Sequence, residues 1–464
     1  MLEGCLTRKR VSLFGLLIVT AVSSAAYSVV APLLPQACEA KGLSSSSTAF
    51  VFGIFALVVL FASPILGAKM ARLGQRKVLL VGLAILGVGT MLLALLQSFP
   101  SGAPFLVAAT SLRVLQGFGS AATETASYAL IARLFPEDVS FVLGLSETVM
   151  GVGFMLGPPL GSMLFELGGF PAPFVGLGLL PLLLLPLLLW LLPGKKERPG
   201  DDDDAQDGAA ASAEEGGGDN WWDIGDEFVQ MRQIACDPHV MITIGVAVLA
   251  NGSYAFLEPT LEPRTEWIIE KLSLTGWEGN SVELSGVMFL VVSLLYMVAS
   301  PAAGYLAARQ RQGPHRVTVS GIAILSAGFL LIGPAPFVFA TTQPSLASFT
   351  FALALIGLGQ SLAMVPNFDS MVLACGRRGS PVSDEVTDTL GGLLNAAYSF
   401  GSVLGPTAAA VLVPSLGFAW ACSIWSVVIL AVGLFAVVRR PLRSDGGDAT
   451  GLMASPLLDD SDDL

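Results

Sequence analysis

The chain has 464 residues, of which 53% are hydrophobic and only 13% charged. A soluble domain carries about twice that share of charge, so the composition excludes a water-soluble globular enzyme and points to many apolar runs long enough to cross a bilayer. The net charge of −12 gathers largely in two stretches, Asp201 to Asp204 with Glu214, Glu215 and Asp219, and the tail with Asp459, Asp460, Asp462 and Asp463. Both read as solvated acidic segments. No basic patch of the nucleic-acid-binding kind is present. Five scattered cysteines without a C-x-x-C pair, and two histidines, give no zinc pattern, so neither a metal nor a cofactor is expected.

The first apolar segment, 11–36, follows Arg8-Lys9-Arg10. It begins like a signal peptide, with small residues near Ala25 and Ala26, but the apolar run continues to Pro35 and is expected to stay as a first span. Further segments are read at 47–69, 77–98, 103–134, 139–167 and 171–193. A polar tether follows, from Gly194 through the aspartates to Gly216-Gly217-Gly218. Trp221 and Trp222 are candidates for the membrane interface, and Asp226 to Ile234 for a short surface helix. Six more apolar segments lie at 239–267, 283–308, 317–341, 346–375, 387–414 and 418–438.

This plan predicts an all-α membrane protein of twelve transmembrane helices in two six-helix pseudo-symmetric halves. Residues 1–10 precede the first half, 11–193; an acidic linker, 194–238, joins it to the second, 239–440, and an acidic tail, 441–464, follows. With the N-terminus cytoplasmic, 20 of the 24 Lys and Arg fall in cytoplasmic loops, only Lys41, Arg264 and Lys271 fall outside, and Arg113 falls within the membrane. A single mistaken span would flip every later loop and erase that asymmetry, so both termini are expected in the cytoplasm.

The halves echo one another. Gly144, Gly153 and Gly157-Pro158 in the fifth segment recur at the same spacing as Gly392, Gly401 and Gly405-Pro406 in the eleventh, 248 residues later. Gly67 and Arg72 after the second segment recur as Gly304 and Arg309 after the eighth. Glycines let helix backbones approach closely in lipid, and Gly-Pro softens a helix where neighbours can satisfy the freed backbone groups.

A charge inside a bilayer costs roughly 2.5–3.5 kcal/mol on insertion scales, so it is expected to face a cavity and have a task. Arg113, Glu124, Glu147, Glu258 and Asp369 qualify. Four acids against one base suit cations and protons and disfavour anions. Arg113, Gln116, Ser120, Thr123, Glu124 and Ser127 share an arc of about 100° over about 21 Å of helix, which reads either as one side of a water-filled path or as a buried interhelical network. Arg113 is a substrate-site group or a structural partner of an acid, and Glu147 and Glu124 carry the same alternative. Glu258 precedes Pro259, which turns a residue from helical geometry and removes a helix hydrogen bond, leaving carbonyls near Tyr254 and Phe256 available beside a carboxylate. A kink with Glu258 bound to a neighbouring helix is the other reading, and Asp369 lies close to its segment's end. A carboxylate such as Glu147 can hold a proton or a cation, one excluding the other, as an exchanger requires. Tyr27, Tyr254, Tyr296, Tyr398 and Asn395 add hydrogen bonds or cation–π contacts, or serve packing.

Several of these stretches resemble motifs of the major facilitator superfamily. Gly144-x8-Gly153-x3-Gly157-Pro158-x2-Gly161 resembles its antiporter motif, with Ser162 in place of the last glycine; Leu112-Arg113-x-x-Gln116-Gly117-x-Gly119 resembles its fourth-helix motif. Gly67 to Lys77 is a degenerate form of the loop motif whose usual acid is replaced by Ala71, so its gating ion pair lacks an acid. Tyr27-Ser28-x3-Pro32-Leu33-Leu34-Pro35 and Leu257-Glu258-Pro259-Thr260-Leu261 resemble the vesicular amine transporter family, and Val142 to Thr148 its polyamine-associated branch. The first-helix aspartate of the monoamine and acetylcholine branches is absent between Ala21 and Ser28. The resemblance implies a major facilitator fold and proton-coupled antiport of organic cations, polyamines or related amines, by a monomer in a vesicle, vacuole or lysosome-like membrane, with the plasma membrane as the other location. Protons couple, and the bilayer and the cation are the partners. A multidrug-type exporter of lipophilic cations and a non-transporting sensor or trafficking protein remain the alternatives. Leu457-Leu458 is a weak sorting signal whose acids follow rather than precede it.

Overall fold

The computed structural model describes residues 2–136, 138–192, 225–272, 281–309, 313–333, 345–376 and 383–438. The linker aspartates, Trp221 and Trp222, and the acidic tail with Leu457-Leu458 lie outside the described residues. The first half holds α1 (Leu2–Ser28), α2 (Val30–Ala40), α3 (Ser45–Leu73), α4 (Gln75–Leu92, running on as a 3-10 turn over Leu93–Ser98), α5 (Ala103–Leu134), α6 (Val139–Gly168) and α7 (Pro171–Leu191). A short helix, α8 (Gly225–Ala235), occupies the stretch read as a surface helix. The second half holds α9 (Pro238–Leu257), α10 (Leu261–Leu272), α11 (Ser281–Ala308), α12 (Gly313–Ile332), α13 (Leu346–Met364), α14 (Asn367–Gly376), α15 (Asp384–Leu416) and α16 (Phe418–Val438).

Prolines divide three of the expected segments. The first breaks at Val29, because Pro32 has no N–H for the carbonyl four residues before it. Pro259 ends α9, and Pro366 separates α13 from α14. In contrast, α6 runs unbroken through Gly157-Pro158 and α15 through Pro406. Among the described residues, eleven helical segments are long and apolar enough to cross a bilayer. Of the twelve expected, α5 alone falls short; it has 32 residues, and its polar stripe, not its length, lowers the hydropathy.

The packing has two-fold logic. In the first half α1 lies on α6, α4 on α5, α3 on α5 and α4 on α7; in the second, the equivalent pairs are α9 on α15, α12 on α13, α11 on α13 and α12 on α16. The halves meet along two seams, α3 against α15 and α6 against α11. The repeated glycines build both kinds of contact. Gly153 and Gly157 face α1 at Ala21, Ser24 and Ala25, and Gly401 and Gly405 face α9 at Val248, Gly252 and Phe256. Gly67 and Gly392 oppose each other across one seam, where a Cβ on either lies 3.1 Å from the other's Cα. Gly144 meets the Ser300 carbonyl, and Gly304 the Ser140 carbonyl, across the other. A side chain at these positions would strike backbone.

Both seams close at one end of the bundle, the end bearing Lys69, Arg72, Arg76, Lys77 and Arg133, here called the basic end. From that end inward, side-chain bonds join the halves: Gln75 to Asp388 (2.5 Å), Ser140 to Asp369 (2.8 Å), Asn395 to Ser63 (3.0 Å), Thr148 to the Met297 carbonyl (2.9 Å) and, deepest, Tyr296 to Glu147 (2.7 Å). Arg133 and Asp384 add an exposed ion pair at 3.8 Å, and Tyr128 stacks on Phe368 at 6.1 Å. At the far end Tyr27, Phe154 and Glu258 are exposed, so the space between the halves opens there.

Candidate functional site

Tyr27 sits two residues before the break in the first segment, and its ring meets Phe55 of α3 at 4.8 Å and Phe154 of α6 at 5.7 Å. Beneath it lies Arg113 of α5, 1% exposed. The guanidinium is 4.4 Å from the Phe55 ring centre and 5.6 Å from those of Tyr27 and Phe52. It donates to Gln116 Oε1 at 2.5 Å, and Gln116 Nε2 donates to Thr90 Oγ1 of α4 at 2.9 Å. Among the described residues Arg113 has no carboxylate at ion-pair distance. Aromatic faces and an amide hold the cation instead, each face contributing about 0.5–2 kcal/mol.

Three acids face the tyrosines of this region. Glu124, half-buried on α5, accepts from Ser120 at 2.6 Å and also bonds Asn395 of α15. Glu147 of α6 is 4% exposed, accepts from Tyr296 of α11 and lies within electrostatic reach of Glu124. Tyr128 and Tyr398 complete its surroundings. Glu258 is exposed to the open space and faces Tyr254 and Tyr27. Five of the chain's six tyrosines, 27, 128, 254, 296 and 398, thus line one site built from α1, α5, α6, α9, α11 and α15. That concentration distinguishes them from interface-belt residues.

The geometry corrects several readings. Gln116 is fully buried and bridges Arg113 to Thr90, so it positions the arginine and does not face the open space. Thr123 and Ser127 bond their hydroxyls to carbonyls one turn back, at 2.8 Å each. The polar arc of α5 is therefore a buried network along most of its length and opens at Glu124. Asp369 is not brought to the cluster: it lies at the basic end, bonded to Ser140. Glu258 keeps helical dihedrals (φ −51°, ψ −53°); the helix ends because Pro259 lacks a donor. The Phe256 carbonyl is taken by the Thr260 hydroxyl at 2.9 Å, and the Leu257 carbonyl by the Thr260 N–H at 3.1 Å. Free carbonyls at Phe256 therefore do not add to this site. Sequence reasoning missed Tyr128, Gln75 and Asp388. Asp388 stands four residues before Gly392, as Ser140 stands before Gly144, and the repeat was the signal that marked it.

The Major Facilitator Superfamily model matches residues 16–383. The chain belongs to the major facilitator superfamily. The human MFS-type transporter SLC18B1 is 30% identical over 90% of this chain and 84% of its own length. The human synaptic vesicular amine transporter is 26% identical over 89% of this chain and 71% of its own. Solved facilitators share the fold: the human organic anion transporter MFSD10 (TETRAN) with a TM-score of 0.65 and 21% identity, covering 92% of this chain and 99% of that one, and FucP with 0.66 and 16%, covering 94% and 100%. This facilitator is a multi-pass membrane transporter related to the vesicular amine transporters, and its relatives are not enzymes. In facilitator terms, the cluster lies between the two halves, where each carboxylate on one side is met by tyrosines or amides from the other.

Proposed function

We propose that this facilitator exchanges protons for organic cations, polyamines or related amines, by alternating access of a monomer. One observation carries the reading: three carboxylates drawn from both halves, Glu124, Glu147 and Glu258, share a tyrosine-lined space in which the single arginine is committed to aromatic faces and an amide. An amine bearing more than one charge suits this arrangement, with ammonium groups on separate carboxylates and methylenes along the rings. A proton and an ammonium compete for the same carboxylate, so binding one releases the other. Glu147 ties this exchange to conformation, because its hydroxyl donor comes from the opposite half. The basic end is assigned to the cytoplasm by its Lys and Arg, which makes this arrangement closed to the cytoplasm and open to a lumen or exterior. Likeness to the synaptic vesicular amine transporter supports a vesicle-type membrane and an amine cargo. No cofactor beyond the coupling proton enters this mechanism.

Radiolabelled spermidine uptake into proteoliposomes, with and without an inside-acid gradient, tests the reading. Gradient-dependent uptake competed by spermine is the expected result, and absence of uptake in tight, correctly oriented vesicles overturns the polyamine assignment. The rings at the open end, Tyr27 with Phe154 and Tyr254 with Phe289 at 6.0 Å, favour a second cargo class of lipophilic cations. Competition by such a cation, without competition by spermine, would select it.

A further inference from the structure

The loop motif lost its acid at Ala71, yet a carboxylate stands in that seam, supplied from the opposite half. Asp388, in the first turns of α15, is 1% exposed, and Gln75, the first residue of α4, is 5% exposed. Gln75 Nε2 donates to Asp388 Oδ1 at 2.5 Å. The remaining oxygen of each group, Gln75 Oε1 and Asp388 Oδ2, is buried without a hydrogen-bond partner among the described residues. Two orphaned buried acceptors are expensive, about 1–3 kcal/mol each and more for a charged oxygen. An amide facing a carboxyl group forms a ring of two hydrogen bonds when the carboxyl carries its proton, N–H to C=O and O–H to C=O. Here one of the two is made, and each group keeps one oxygen without a partner among the described residues.

We propose that Asp388 is a second proton-binding site of this facilitator, remote from the cargo site, protonated when the basic end is closed so that its O–H completes an acid–amide ring with Gln75. The charged groups acting on it are Asp384 and Glu385 on its own helix and Arg133 on α5; α3 meets it with backbone at Gly67, and α4 with Gln75. Opening the seam admits water, solvates both oxygens and frees the proton. The proton count then differs between the two states: the closed state holds one more, and it loses population as pH rises through the group's titration.

The inference rests on alternating access but not on the cargo, and its test uses the proton alone. Spin labels at Leu73→Cys on α3 and Leu373→Cys on α14, both exposed at the basic end, report the opening in lipid nanodiscs without substrate, in a background lacking native cysteines and carrying Glu147→Gln. The closed-to-open ratio is expected to fall with rising pH by up to about tenfold per unit, the limit for one proton. Adding Asp388→Asn, whose N–H supplies the missing donor permanently, is expected to hold the end closed at every pH. Gln75→Met, which removes the ring, is expected to flatten the titration and carries the test should the Asn variant fail to fold. A flat parent, or variants that titrate like the parent, would overturn the proposal. Normal gradient-driven spermidine uptake by the native protein beside a flat distance profile would sink this inference alone, whereas lost uptake by the native protein beside an intact profile would count only against the antiport reading.

Discussion

Tyr296 donates a hydrogen bond to Glu147, and the two belong to different halves. Tyr296→Phe removes that bond at nearly constant volume and is expected to cost the closed basic end about 1–2 kcal/mol, lowering its population relative to the open state roughly five- to thirtyfold. Reaction of Ser63→Cys with a membrane-impermeant thiol reagent from the basic side reads the change, and an unaltered rate would remove the latch role. Glu147→Gln should abolish gradient-dependent uptake with the folded protein recovered in normal amount; normal coupled uptake would end its assignment as an exchange site. Arg113→Lys keeps the charge but loses the planar face that lies against Phe55. Thermal unfolding in detergent should shift downward, and an unchanged transition would mean that the aromatic setting adds nothing. Arg113, Glu124, Glu147 and Glu258 were legible in the sequence because each is a charge in an apolar run, which is costly anywhere but a cavity. Gln75, Asp388 and Tyr128 were not. The first two stand at helix beginnings, where polar residues are normal, and a tyrosine in a membrane helix carries no charge to draw attention.

At the scale of elements, the matching glycine patterns serve two different surfaces. Gly401 packs within its half, onto α9, while Gly392 packs on α3 of the other half. The same substitution should therefore act differently at the two positions. Gly401→Ala is expected to lower the melting temperature of the protein, corresponding to overpacking of about 1–3 kcal/mol. Gly392→Ala is expected to leave melting nearly unchanged and to open the basic end, because the clash vanishes once the seam parts. Equal melting shifts for the two would contradict that division. The spans and their pairing into repeats were readable from hydropathy and spacing, which lipid enforces along the whole chain. Which prolines would break a helix was not. Pro259 and Pro366 interrupt theirs while Pro406 does not, although all three lack the same N–H.

Across the whole molecule, the proposed alternating access requires the halves to separate at the basic end, where the Ser63 hydroxyl and Asn395 amide lie 3.0 Å apart. The pair Ser63→Cys and Asn395→Cys, joined by a short thiol-specific linker, should stop uptake, and reduction should restore it. Uptake that survives linking would mean that this seam does not move. Apolar segments and the glycine repeat made the two halves legible, but the end at which they close depends on contacts between residues more than 300 positions apart, such as Gln75 and Asp388, which no local pattern encodes.

The scaffold repeats itself on rotation by half a turn, but its contents do not. Arg113, Glu124 and Glu147 belong to the first half and Glu258 to the second. A symmetric frame alone would offer a linear cargo two equivalent poses, head for tail. With two acids and the cation on one side and a lone acid on the other, those poses differ in energy. A cargo with dissimilar ends is therefore expected in one sense, and the proposed site is polarised across the very axis that relates its walls.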